Sequence, residues 1–271
     1  MKRGLRVVSL FAAVGLALVA TPALAGESPT YLALGDSVPF GYSPLVTNLS
    51  DADAYVGYPE DLAGLLDVGV RNAACPGETS GSLISTANPD NGCQLARSFG
   101  DLHVNYKGSQ LAYALAWLRT HQHTSLVTMT IGANDVFLLQ KQCNNNVLCI
   151  EGGLRGVLTS LQTNLATVYA QVRAAGFKGT IVALTYYTVK YTDPVVVPVI
   201  SAINQVVRAV TLGFGGRVAD GFAAFAAIAA STGGDSCAAG LLIVKQDGTC
   251  DIHPSAFGAQ VLAHTVQAAL Q

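Results

Sequence analysis

The stretch YLALGDS, residues 31–37, is a short apolar run that stops abruptly at a polar turn. Such a run is typical of a buried strand that ends in a loop. Ligands of open α/β sheets bind at the carboxyl ends of strands, so we expect Ser37 to emerge where chemistry occurs. Gly-Asp-Ser alone is also a common turn sequence, and Val38-Pro39 excludes the G-x-S-x-G nucleophile elbow. A serine nucleophile needs a base and oxyanion donors, so the case depends on the rest of the chain.

The remaining chain alternates between strand-like and helix-like periodicity. Apolar, β-rich segments predict strands at residues 69–73, 126–131, 180–184 and 217–220. Helical patterns cover residues 55–68, 111–118, 154–172, 195–211 and 255–269. This alternation predicts an α/β fold in which helices cover both faces of a mainly parallel sheet.

Residues 1–25 have the pattern of a secretory signal peptide. Three basic residues precede an apolar run, and the small-residue end TPALA predicts cleavage after Ala25. A membrane anchor is disfavoured because the apolar run is short for a span. No later apolar run reaches spanning length. We therefore expect one soluble, extracellular domain over residues 26–271, without stable membrane insertion.

Composition and charge narrow the classes of partner. The chain of 271 residues is 51% hydrophobic and 12% charged, with a net charge of −2. Three positive charges lie in the predicted signal peptide, so its removal changes −2 to −5. Without a basic patch, neither nucleic acid nor an anionic membrane is an expected partner. The apolar content is enough for a sizeable core, and we expect a monomer.

All six cysteines follow the predicted cleavage site. An even number in an exported chain is typical of disulfide bonds, although sequence alone leaves their connectivity open. Closeness along the chain favours three pairs, which are Cys75–Cys93, Cys143–Cys149 and Cys237–Cys250. No pair has C-x-x-C spacing, so we expect neither a metal site nor another cofactor.

Two further blocks follow predicted strands. The sequence NAACPGET, residues 72–79, contains Gly77, whose backbone can approach a ligand closely, although a turn glycine is the simpler interpretation. The sequence GAND, residues 132–135, follows the strand that ends at Ile131. Asn134 in this block can donate N–H to an oxyanion, or it can cap a helix.

His253 is the histidine best placed to serve as a base. It stands beside a carboxylate in the sequence DIHP, residues 251–254, where we expect a loop to join the final helix. The other histidines lie in polar segments or inside the last helix, where solvation or the helix dipole accounts for them. As a general base, His253 would take the proton of the Ser37 hydroxyl, which is the base that a serine nucleophile needs.

The order Ser, Gly, Asn, His resembles the SGNH hydrolase superfamily, also called GDSL esterases and lipases. The four blocks contain Ser37, Gly77, Asn134 and His253 and span nearly the whole mature chain. The resemblance implies a flavodoxin-like, three-layer α/β/α fold with a mainly parallel five-stranded sheet. The three candidate disulfides are similar to those of secreted, actinobacterial-type members.

The resemblance also implies a role for each matching residue. Ser37 would be the nucleophile, and His253 its general base and acid. The backbone N–H groups of Ser37 and Gly77, with the Asn134 side chain, would form the oxyanion hole. A small-molecule or lipid ester would then be hydrolysed through an acyl-enzyme on Ser37.

One position departs from the family pattern. Members usually have an aspartate three residues before the histidine, where this chain has Cys250. Asp251 stands two residues before His253. Either the Asp251 carboxylate or the main-chain carbonyl of Cys250 would orient the imidazole, and the departure favours the carbonyl.

The leading prediction is a secreted serine esterase or lipase. One alternative is an O-deacetylase of cell-wall or plant polysaccharide, and another is a catalytically silent surface-binding protein on the same fold. The complete set of four residues argues against silence. Tyr186, Tyr187 and residues 195–200 follow a strand end and are candidates for an acyl-chain pocket, although helix packing explains the valines more simply.

Overall fold

The computed structural model describes residue 1 and residues 29–48, 50–99 and 102–271. Apart from Met1, the predicted signal peptide lies outside the described residues. The predicted start of the domain, residues 26–28, also lies outside them.

Five parallel strands form the central sheet. They are β1 (Thr30–Gly35), β2 (Gly69–Asn72), β3 (Leu126–Thr130), β4 (Thr180–Leu184) and β5 (Arg217–Ala219). Their order across the sheet is β2-β1-β3-β4-β5, the flavodoxin-like order. All of β3 and all but the first residue of β1 are buried, which explains the continuous apolar runs in their sequences.

Helices cover both faces of this sheet, so the predicted three-layer α/β/α fold is confirmed. The helices are α1 (Ser37–Phe40), α2 (Tyr58–Leu66), α3 (Ser80–Ile84), α4 (Cys93–Phe99), α5 (Gln110–Thr120), α6 (Ala133–Gln142), α7 (Val147–Ala174), α8 (Val196–Gly213), α9 (Gly221–Ala229) and α10 (Ala256–Ala269). One face is covered by α2, α9 and α10, which pack together, and the other by α5, α7 and α8. Short 3-10 helices lie at Ala52–Ala54 and Ala230–Thr232.

Helix α8 is long and apolar enough to cross a membrane by length and composition alone. In the part of the chain that the structure describes, it is the one helix with this property. It packs against α7, β4 and β5, and its residues Ile203, Val207 and Val210 are buried there. We therefore interpret α8 as an outer-layer helix of the α/β/α fold.

A small antiparallel hairpin precedes the last helix. Its strands are β6 (Leu242–Val244) and β7 (Cys250–Pro254). The expectation of a loop at His253 was wrong, because His253 lies on β7 and the helix begins only after the Ser255 cap. The sequence misleads here because proline is common at the first position of a helix, whereas Pro254 ends a strand.

The three disulfides join the pairs that closeness along the chain favours. They are Cys75–Cys93, Cys143–Cys149 and Cys237–Cys250, and the described residues include no free cysteine. Each bridge is expected to stabilise the fold by about 2–4 kcal/mol, and the shortest loop gains least. The first bridge anchors the loop after β2, and the third anchors the start of β7.

Candidate active site

The predicted site residues meet at one edge of the sheet. Ser37, Gly77 and Asn134 follow β1, β2 and β3, which are adjacent and parallel, so their carboxyl ends lie side by side. The chain passes from β2 on one side of β1 to β3 on the other, and such a switch point is where open α/β sheets bind ligands. His253 approaches from β7, and all four residues line one cleft of about 380 Å³.

Asp36 shapes the turn that presents Ser37. Its Oδ1 accepts the N–H of Val38 at 3.0 Å and so caps α1, which begins at Ser37. Its Oδ2 accepts a hydrogen bond from the hydroxyl of Tyr186. Burial raises the pKa of Asp36 to about 6, although both hydrogen bonds favour the carboxylate. The buried carboxylate therefore fixes the backbone on which the nucleophile stands.

Ser37, His253 and Asp251 form the nucleophile side of the cleft. His253 Nε2 lies 2.9 Å from Ser37 Oγ, although the two residues are 216 positions apart in the chain. His253 Nδ1 lies 2.5 Å from Asp251 Oδ1, which also accepts the backbone N–H of His253 at 3.0 Å. The side-chain hydrogen bond with His253 lowers the pKa of Asp251, so that group stays a carboxylate. Serine, imidazole and carboxylate thus lie in the order that serine activation requires.

The contact at His253 Nδ1 corrects the preference for a main-chain carbonyl. The partner of Nδ1 is the Asp251 carboxylate and not the carbonyl of Cys250. The pairing of β7 with β6 is irregular between Cys250 and Pro254, so the alternation of a regular strand does not hold at Asp251 and His253. The backbone N–H of His253 donates to Asp251 Oδ1, and this local contact holds the carboxylate beside the imidazole. The acid at position 251 therefore reaches Nδ1 from two residues before the histidine.

Tyr186 and Tyr187 support the nucleophile side from behind and do not line the cleft. Tyr186 bonds to Asp36, and the Tyr187 hydroxyl donates to the carbonyl of Ile252 on β7 at 3.0 Å. Both tyrosines are buried. Their suggested place in an acyl-chain pocket was therefore wrong, because their hydroxyl groups find buried partners beneath the site.

Gly77, Asn134 and Asn91 form the oxyanion side of the cleft. Gly77 has a φ of +82°, and a Cβ there would lie 2.6 Å from the backbone of Asn91, so only glycine fits. The carbonyl of Gly77 accepts the N–H of Asn91 at 2.7 Å. Asn134 is 5% exposed, and its Oδ1 accepts from Asn91 Nδ2 at 2.8 Å.

The three predicted oxyanion donors remain available. Within the described part of the chain, the N–H groups of Ser37 and Gly77 and the amide nitrogen of Asn134 donate to no protein acceptor. Asn134 does not cap α6 either, since the cap of that helix is Gly132 and makes no side-chain bond. The capping interpretation of Asn134 is therefore set aside, and its amide nitrogen is left to face a ligand.

Sequence reasoning missed Gln110 and Glu78, which join the two sides beneath the cleft. The Gln110 side chain accepts the N–H of Gly35 at 2.6 Å and donates to the Gly35 carbonyl at 2.9 Å. It also donates to Glu78 at 3.0 Å, and Ser82 donates to the same carboxylate. Burial raises the pKa of Glu78 to about 7. The one sequence signal was an acid directly after Gly77.

One group of metal-binding side-chain types occurs among the described residues. The ligand atoms of Cys75, Glu78 and Cys93 lie within 4.8 Å of one another. Both sulfurs are joined in a disulfide, however, so neither is available as the thiolate that binds a metal.

The walls of the cleft are mostly apolar. On α4, Leu95 and Phe99 are one turn apart and 64% and 65% exposed. Further apolar and aromatic side chains complete the walls, namely Phe40, Tyr42, Tyr55, Phe137 and Ile252. The Tyr42 ring also lies 4.8 Å from the His253 ring. The cleft can therefore bury an apolar group beside the nucleophile.

Residues 33–261 match the GDSL-like lipase/acylhydrolase family. The chain belongs to this family. The matched range contains all four blocks of the GDSL-like pattern, from Ser37 to His253. No curated protein matches the sequence.

Solved structures show the same GDSL-like fold. A phospholipase A1 from Streptomyces albidoflavus NA297 is 20% identical and has a TM-score of 0.57, with 90% of this chain and 100% of that chain covered. An acetylxylan esterase from Geobacillus stearothermophilus, Axe2, is 19% identical and has a TM-score of 0.55, with 90% and 95% covered. These likenesses establish the α/β SGNH hydrolase fold.

Proposed function

We propose that this GDSL-like hydrolase is a secreted serine esterase or lipase that cleaves carboxylic esters through an acyl-enzyme on Ser37. The observation that carries the proposal is the chain of contacts on the nucleophile side, Ser37 Oγ to His253 Nε2 at 2.9 Å and His253 Nδ1 to Asp251 at 2.5 Å. A serine hydroxyl with a positioned base is an activated nucleophile.

In acylation, Ser37 attacks the ester carbonyl while His253 Nε2 takes the hydroxyl proton. The Asp251 carboxylate holds the tautomer with the proton on Nδ1 and stabilises the imidazolium that forms. Negative charge develops on the carbonyl oxygen, and the N–H groups of Ser37 and Gly77 and the amide of Asn134 stabilise it. His253 then gives its proton to the leaving alcohol.

Deacylation repeats these roles with water. His253 removes a proton from water, which attacks the acyl carbonyl, and the same donors stabilise the second tetrahedral intermediate. His253 returns the proton to Ser37 Oγ as the carboxylic acid leaves. The cycle needs no metal or organic cofactor.

The preferred substrates carry an apolar acyl chain longer than acetyl. The cleft of about 380 Å³ beside Ser37 has apolar walls, and Leu95 and Phe99 add exposed apolar surface at one wall. The phospholipase A1 among the solved structures is consistent with a lipid ester.

A polysaccharide O-deacetylase is the second candidate, since Axe2 is an acetylxylan esterase of the same fold. The third reading, a silent binding protein, is disfavoured by the short contacts between Ser37, His253 and Asp251.

Export accords with the disulfides and with the sequence of residues 1–25. Three bridges persist most readily in an oxidising compartment. We place the chain with the secreted, actinobacterial-type members of the family and expect one monomeric domain over residues 26–271. Amino-terminal sequencing of secreted protein, beginning at Gly26, and light scattering would check both expectations.

The test of function is hydrolysis of p-nitrophenyl esters from acetyl to palmitoyl, with acetylated xylan in parallel. We expect turnover of the esters, with a higher kcat/KM for acyl chains of several carbons than for acetyl. Ser37→Ala should lose nearly all turnover, because the hydroxyl is the attacking group. Circular dichroism of this variant should match that of the original protein.

Three results would contradict parts of the proposal. A Ser37→Ala variant that kept most of the turnover would refute the assignment of the nucleophile. Release of acetate from xylan with little action on longer esters would favour the deacetylase. An inactive but folded original protein would favour the silent binding protein.

A further inference from the structure

The amide group of Asn134 must have a definite polarity if it is to serve an oxyanion. Its nitrogen donates and its oxygen accepts, and the two ends have nearly the same shape. If the oxygen faced the cleft, it would repel the developing negative charge. Something in the protein must therefore select which end of Asn134 is turned toward Ser37.

Asn91 is in contact with the acceptor end of that amide. Asn91 Nδ2 donates to Asn134 Oδ1 at 2.8 Å, which leaves the Asn134 nitrogen for the cleft. The Asn91 side chain is itself an amide with two similar ends, so its own polarity must also be selected. Lys141 Nζ donates to Asn91 Oδ1 and supplies that selection.

Lys141 determines which end of each amide faces its neighbour in the series Lys141, Asn91, Asn134. An ammonium group has donors and no acceptor, so only the oxygen end of Asn91 can face Lys141. The nitrogen end of Asn91 then faces Asn134 and accepts no proton, so it must meet the oxygen of Asn134. Lys141 and Asn134 are seven residues apart on α6, two helical turns along one face, which lets Asn91 lie between them.

Asn91 is itself held firmly beside the cleft. Its backbone N–H donates to the Gly77 carbonyl at 2.7 Å. The Cys75–Cys93 disulfide stands two residues before Gly77 and two residues after Asn91, so it closes the loop next to this hydrogen bond. One residue thus contacts both partners on the oxyanion side.

We propose that Asn91, aligned by Lys141, is a positioning residue that turns the amide nitrogen of Asn134 toward the reacting carbonyl oxygen. The inference rests on the proposed ester hydrolysis. It assigns a function to a residue outside the four blocks of the GDSL-like pattern.

The experiment compares Asn91→Ala with Asn91→Asp by steady-state kinetics on a p-nitrophenyl ester. Alanine frees Asn134 to rotate, and we expect kcat to fall about tenfold with KM nearly constant. Aspartate has the shape of asparagine but only acceptors, so it should draw the Asn134 nitrogen toward itself and turn the oxygen to the cleft. We expect a loss of about a hundredfold or more, as large as that of Asn134→Ala.

Two controls distinguish orientation of the Asn134 amide by Asn91 from effects of loop packing or of added charge. Asn88→Asp places the same charge at an exposed position three residues before Asn91, and we expect a kcat close to that of the original protein. The double variant Asn91→Ala/Asn134→Ala should be no slower than Asn134→Ala alone, because Asn91 acts through Asn134. Thermal unfolding of every variant shows whether the fold is intact.

The outcomes distinguish this proposal from the function on which it rests. No turnover by the original protein would refute the ester hydrolase itself. If that protein is active, a well-tolerated Asn91→Asp beside a damaged Asn91→Ala would indicate packing alone and overturn the proposal. Losses that multiply in the double variant would overturn it as well.

Discussion

The nucleophile side and the oxyanion side of the cleft are held together by different kinds of contact. On the nucleophile side, titratable side chains bond directly to one another, and an imidazole stands between a hydroxyl and a carboxylate. On the oxyanion side, backbone groups and neutral amides set the direction of donors, with a single cation at the outer end. The first side moves a proton, whereas the second orients fixed dipoles.

This difference predicts how each side fails. Removal of a charge or a proton acceptor on the nucleophile side should cause the larger loss of kcat, because no neighbouring group can replace it. Removal of one dipole on the oxyanion side leaves other donors in place, so the loss should be partial. Variants of the two sides therefore test whether the nucleophile side and the oxyanion side contribute to kcat in these different ways.

After Ser37→Ala, the largest effect is expected for Asp251→Asn. Asparagine lacks the negative charge and can hold the imidazole in the wrong tautomer, so kcat should fall by roughly a thousandfold to ten-thousandfold. The matched control is Asp247→Asn, which changes an exposed carboxylate in the same hairpin. Steady-state kinetics on a p-nitrophenyl ester measures both.

An Asp251→Asn enzyme within about tenfold of the original would contradict the contact at His253 Nδ1. It would return the orienting role to a main-chain carbonyl, which a side-chain substitution does not remove.

The orienting acid shows where prediction from sequence stops. The three central strands β1, β3 and β4 could be predicted because buried parallel strands have continuous apolar sequences, as at residues 126–131. Strand β7 could not, because its sequence CDIHP is short and polar and ends in proline. The pairing of β7 is also irregular between Cys250 and Pro254, so a spacing of two residues does not by itself place Asp251 beside His253. That placement depends on the hydrogen bond from the His253 N–H to Asp251, which the sequence does not reveal.

A smaller loss is expected for Asn134→Ala on the oxyanion side. The variant removes one of three donors, so kcat should fall by about a hundredfold to a thousandfold while KM changes little. Asn164→Ala is the matched control, because Asn164 is a part-buried amide that donates to Ser80 and does not line the cleft. A kcat for Asn134→Ala equal to that of the control would remove Asn134 from the oxyanion hole.

Asn91 could not be predicted from sequence for a different reason. It lies in the polar stretch NPDNG, residues 88–92, where each asparagine is equally typical of a turn. Its position depends on a disulfide and on a hydrogen bond to a loop that begins more than ten residues earlier. Motifs reveal residues that react, whereas a residue that orients another amide has no characteristic neighbours in sequence.

Glu78 connects the two sides, and its replacement should change stability more than catalysis. Burial raises the pKa of this carboxyl from 4.5 to about 7, because the charged form loses its hydration in the fold. The group therefore favours folding fully below about pH 4.5 and loses that contribution as the pH rises through 7. A shift of this size corresponds to about 3 kcal/mol.

Glu78→Gln keeps the shape of the side chain and does not titrate. Urea unfolding at pH 5 and pH 8 should show a smaller fall in the free energy of unfolding for Glu78→Gln than for the original protein. Asp36, whose pKa is also raised, titrates in both proteins and cancels in the comparison. Glu151→Gln, an exposed change of the same chemistry on α7, should leave the pH dependence as it was. If all three proteins lose the same stability between these pH values, the carboxylate beneath the cleft is already compensated by Ser82 and Gln110, and burial there carries no net penalty.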